Sequence, residues 1–63
     1  MRYWFLKLRK NMKLTQKELA DHLLVSQQLV SRIENGAVIR KNTAKIIASR
    51  LDICWEKFFE TEE

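Results

Sequence analysis

The chain has 63 residues with 12 Lys and Arg against 8 Asp and Glu, a formal net charge of +4, 46% hydrophobic residues, one Gly, no Pro and one Cys. That length predicts one small domain, residues 1–63, with a single core and little room for an enclosed enzyme pocket; the near absence of Gly and Pro suits helices and opposes hairpins, collagen and disorder. The lone Cys54 excludes an internal disulfide framework, and with the lone His22 it falls short of a structural zinc set, so neither a metal nor a cofactor is expected.

Met1, Phe5, Leu8 and Met12 recur at the spacing of one helical face, with Trp4 at its edge, and predict helix 1 at about residues 2–11. The apolar opening is followed at once by Lys7, Arg9 and Lys10, too early for a signal sequence or a membrane span; a cytoplasmic setting is expected. Thr15-Gln16-Lys17-Glu18 reads as a capping box opening helix 2, whose buried stripe is Leu19, Ala20 and Leu23. Ser26 is the next N-cap. Val30 and Ile33 then form the narrow buried side of helix 3, which stops at Asn35-Gly36 and leaves its other side polar and free. After a basic loop, Arg40-Lys41-Asn42, the residues Ala44, Ile47, Ala48 and Leu51 form the stripe of helix 4. Trp55, Phe58 and Phe59 predict a short fifth helix, with the aromatic residues mainly in the core.

The charge is uneven. Residues 1–50 carry a formal +8 and residues 51–63 a formal −4. A basic body with an acidic tail suits a polyanion on one face, because Lys and Arg that neutralise phosphates release counterions. Lys10, Lys13, Lys17 and Lys45 are read as solubility charges. His22 and Cys54 are read as surface or edge residues.

The segment LTQKELADHLLVSQQLVSRIENG, residues 14–36, resembles the helix-turn-helix of the Cro and phage-repressor-like (XRE) family of DNA-binding proteins. Counting Gln16 as the first motif residue, Ala20 falls where the family wants a small residue at the helix crossing. Val25, Val30 and Ile33 fall on its apolar positions, and Glu34-Asn35-Gly36 matches its end. Leu8-Arg9 before the motif and residues 51–59 after it extend the likeness over nearly the whole chain. The resemblance implies an all-α, compact five-helix lambda-repressor-like DNA-binding domain with helices 2 and 3 as the helix-turn-helix.

Helix 3 of such a domain projects into a major groove about 12 Å wide, and its first turn carries Gln27 and Gln28; glutamine pairs with adenine N6 and N7 there. Ser31 and Arg32, one turn further on, are further base-contact candidates. The resemblance makes Gln16 and Asn35 backbone-phosphate clamps, and Arg40 and Lys41 flank the duplex. It makes Arg9 and Glu34 a structural pair tying helix 1 to the end of helix 3. Glycine is usual in the family before Leu14, in the turn and after helix 4, yet Lys13, Leu24 and Asp52 stand there; a positive φ at these positions would strain each.

The expected function is sequence-specific double-stranded DNA binding by a small, bacterial or phage-encoded Cro or repressor-type transcription regulator. A two-fold operator is expected, bound by a homodimer formed through helix 5 and the C-terminal residues, with half-sites about 34 Å apart. The alternative is a protein-interaction module on the same fold, an antitoxin or phage accessory factor. No acid, base and nucleophile set supports an enzyme.

Overall fold

A computed structural model describes residues 1–60. Four α-helices occur among them: α1 (Tyr3–Asn11), α2 (Gln16–Leu23), α3 (Gln27–Glu34) and α4 (Lys41–Leu51), followed by a 3-10 turn (Trp55–Phe59). The described residues contain no strand. The described residues are therefore all-helical, with four helices and one 3-10 turn where five helices were expected. In that last segment the amides of Lys57 and Glu60 reach back three residues, to the carbonyls of Cys54 (3.1 Å) and Lys57 (3.4 Å), the bonding of a short 3-10 turn and not of an α-helix. Phe58 is buried, whereas Phe59 is half exposed and lies outside the core.

The core gathers one side of every element. Phe5 comes from α1, Leu19, Ala20 and Leu23 from α2, Val30 and Ile33 from α3, Ala44, Ile47 and Ala48 from α4, and Phe58 from the 3-10 turn. Ile39, in the connection before α4, joins them; no periodic pattern marked it. α2 packs on α3, α1 on α3, and α4 on both α2 and the 3-10 turn. Ala20, only 2% exposed, sits within this core, where its small side chain permits close packing. Trp4, Phe5 and Phe58 pack mutually, with Trp4 edge-on to Phe58 at a centroid distance of 5.0 Å. Met1 precedes α1 and is exposed, so the helical face predicted to start there starts with Trp4 and Phe5.

Local chemistry sets the helix boundaries. The Thr15 hydroxyl accepts the Glu18 amide (3.1 Å) and the Glu18 carboxylate accepts the Thr15 amide (2.8 Å), closing the capping box of α2. That second bond to the Thr15 backbone, then the Thr15 side chain, holds the Glu18 carboxyl below its ordinary value. The Ser26 hydroxyl accepts the Leu29 amide (3.1 Å) and starts α3.

All four helices end the same way. Lys13, Leu24, Gly36 and Asp52 follow them with φ of 60°, 59°, 91° and 58°. In each case the next amide reaches back five residues: Leu14 to the Arg9 carbonyl (3.3 Å), Val25 to Ala20, Ala37 to Arg32 and Ile53 to Ala48 (each 3.0 Å). This is the Schellman stop, in which a left-handed residue turns the chain so that the following apolar residue folds back onto the helix. Leu14, Val25 and Ile53 pack against the core accordingly. Only Gly36 adopts the left-handed conformation without a Cβ penalty. The other three carry the strain their residue types implied, and Leu24, 76% exposed, carries it without burying its side chain.

Candidate nucleic-acid interface

α3 is divided lengthwise. Val30 and Ile33 are fully buried and Leu29 is half-buried, while Gln27, Gln28 and Arg32 are exposed and Ser31 is half-buried. Gln27 and Gln28 occupy the first two helical positions directly after the Ser26 cap. Their amides face solvent from a turn whose backbone is already fixed by that cap, the arrangement that direct reading of base edges requires.

The end of α3 is fastened by two arginines. Glu34 is only 4% exposed, and its carboxylate accepts from Arg9 Nε (2.5 Å) and from the side-chain amide of Gln16 (3.0 Å). Arg9 Nη1 also donates to the Leu14 carbonyl (2.8 Å). One carboxylate thus joins the end of α1, the start of α2 and the end of α3. Arg2 acts on the same helix end: its guanidinium donates to the carbonyls of Ile33 (2.7 Å) and Ala37 (3.0 Å), and its backbone amide to that of Glu34 (2.8 Å). A cation at a helix C-terminus meets the negative end of the macrodipole and the carbonyls left without intrahelical partners. Arg50 does the same for α2, donating to the Leu23 carbonyl. Neither Arg2 nor Arg50 was marked by sequence pattern, because each meets carbonyls of a helix distant along the chain.

The four phosphate-clamp candidates lie in different settings. Gln16 is half-buried at the first position of α2, one amide proton engaged by Glu34, and Asn35 is exposed at the C-cap of α3. Arg40 is the exposed N-cap residue of α4, which has no side-chain cap. Lys41 belongs to the first turn of α4 and not to a loop as the basic run suggested; the half-buried Trp55 ring draws it in, with Lys41 Nζ 5.2 Å and Lys45 Nζ 5.1 Å from the ring centroid. An open groove of about 310 Å³ runs between α3 and the connection to α4, bordered by Arg32, Val38, Arg40 and Thr43.

His22 and Cys54 are both exposed. The Cys54 thiol is held above its ordinary value, chiefly by its hydrogen bond to the Glu56 carboxylate (2.9 Å). Among the described residues no three His, Cys, Asp or Glu side chains gather as a metal-binding group, and no helix is long and apolar enough to cross a membrane.

A family model described as helix-turn-helix matches residues 6–54, which runs from within α1 to just past the end of α4 and includes the divided helix α3. The chain belongs to this family. It is a helix-turn-helix domain of the Cro and phage-repressor type (XRE), a family of DNA-binding, non-enzymatic domains. No curated protein and no solved structure matches the chain. Within the helix-turn-helix domain, α2 and α3 form the bihelical motif and Leu24-Val25-Ser26 the turn between them.

Proposed function

We propose that this helix-turn-helix domain is a sequence-specific transcription regulator of the Cro or repressor type. It binds a two-fold operator as a homodimer and lays α3 in the major groove. The observation that carries this reading is the exposed polar face of α3, with Gln27, Gln28 and Arg32 in solvent opposite a fully buried Val30 and Ile33. In this reading Gln27 and Gln28 read base edges, most readily those of A·T pairs, and Arg32 and Ser31 read the adjoining positions. Gln16, Asn35, Arg40 and Lys41 hold phosphates on either side.

Two features support the phosphate assignments. The start of α4 has no side-chain cap, so its first amides and its positive dipole end are left for an anion. Gln16 uses one amide proton on Glu34 and retains a second proton and its oxygen for a phosphate. The half-exposed Phe59 supplies apolar surface near the C-terminus for a second copy of the chain. A single such domain buries little DNA surface, and two half-sites about 34 Å apart lengthen the site read.

Selection of bound sites from random duplex DNA tests this function. The expected result is an inverted repeat with half-site centres about one helical turn apart. Enrichment of no sequence, with binding that vanishes at moderate salt whatever the duplex, would overturn it.

A further inference from the structure

Residues 37–39 form a short ledge beside α3. The Ala37 amide donates to the Arg32 carbonyl (3.0 Å), the Ala37 carbonyl accepts from Arg2 Nη2 (3.0 Å), and Ile39 is buried in the core. Anchored on both sides, Val38 is pushed outward. It is 91% exposed, the highest value among the exposed large hydrophobic residues. Its neighbours along the open groove are the exposed cations Arg32 and Arg40.

A branched apolar side chain in such a place has no core role, and its backbone is fixed before any partner arrives. Two flanking guanidiniums disfavour an apolar protein surface and favour a polyanion. On duplex DNA, the apolar feature that the major groove displays is the C5-methyl group of thymine. We infer that Val38 is a further specificity-determining residue, which packs against a thymine methyl beside the base pair met by Arg32. This rests on the DNA-reading function proposed above. It extends the reading surface from α3 onto the ledge that follows it, and it adds an apolar contact to a set that is otherwise polar.

The test uses the operator recovered by selection, with each thymine replaced in turn by uracil, which keeps every pairing and hydrogen-bonding group and removes only the methyl. Wild-type protein should lose about four-fold in affinity at one thymine, the loss expected for one buried methyl-sized group, and that loss should shrink below about two-fold in V38A. Because Val38 is exposed, V38A should melt at the wild-type temperature, and its affinity for non-specific duplex should be unchanged. Thymine-to-uracil losses that are the same in V38A and wild type overturn this contact while leaving the DNA-reading function intact. A wild-type protein that selects no duplex overturns both.

Discussion

Replacing Leu24 with glycine is expected to stabilise the protein although it deletes a large apolar side chain. Leu24 has φ 59° and ψ 40°, and its side chain is 76% exposed, so little burial is lost. A left-handed backbone costs an L-residue about 1–2 kcal/mol. The greater freedom of glycine in the unfolded chain offsets about 0.4–1 kcal/mol of the relief, leaving a net gain of about 0.5–1 kcal/mol. With an unfolding entropy of about 2.1 cal/mol/K per residue, a chain of this length has a total of about 0.13 kcal/mol/K, so Tm should rise by about 4–8 °C. Thermal unfolding followed by circular dichroism measures the effect, with L24A as the control. Alanine removes the apolar side chain but keeps the Cβ, so L24A should gain almost nothing. A lower Tm in L24G would mean that the leucine side chain holds native contacts. An equal gain in L24A would mean that side-chain exposure, and not backbone conformation, sets the strain. Either result refutes the reasoning.

Removing Arg9 takes the charged hydrogen-bond partner from the buried Glu34 carboxylate, which keeps its bond from Gln16, so R9A should lose about 3 kcal/mol in urea unfolding, against under about 1 kcal/mol if the pair acts as an exposed one. The Glu18 carboxyl is lowered in the folded state, so its contribution is complete above the ordinary value of 4.5 and is lost as pH falls through the lowered folded value. In E18Q, which keeps the capping geometry without a titrating group, stability should vary less over that acid range; an unchanged pH profile would contradict the assignment. Q27A and Q28A should each lose about 1–3 kcal/mol on the selected operator and relax preference at one or two base pairs with helicity intact; titration against operators substituted at each position checks this. R40A should weaken selected and scrambled DNA by similar factors and reduce the salt slope by about one unit; loss confined to the selected site would contradict a phosphate role.

The parts of this fold legible in the sequence are those set by neighbours along the chain. The capping box at Thr15 and Glu18, the Ser26 cap and the stripes of α2, α3 and α4 all lie within one or two helical turns, where spacing alone determines which side chains meet. The glycine-poor helix stops were legible through the family resemblance and not through spacing, since Lys13, Leu24 and Asp52 stand where glycine is usual in the family. Arg2 and Arg50 were not, because their partners are carbonyl oxygens, which every residue possesses and no residue type announces. Ile39 and Val38 are adjacent, apolar and β-branched, yet one is buried and the other faces water; only the anchoring of Ala37 decides which is which. The aromatic run at the end read as a helix because its spacing fits one, and spacing over so few residues does not separate an α-helix from the 3-10 turn that its backbone bonds form.

The carboxylate of Glu34 has a consequence beyond holding three helix ends together. Gln16 and Gln27 lie on different helices, and on the proposed reading one grips a phosphate while the other meets a base edge. On that reading the separation between them would be the gauge by which the protein matches groove depth to backbone position. The gauge then depends on a buried acidic side chain, which accepts from Arg9 and Gln16 and is itself shielded from solvent. A substitution at Glu34 that preserved the fold would therefore act as a change of calibration. It would leave every reading residue in place while shifting the DNA geometry on which phosphate grip and base contact are made at once.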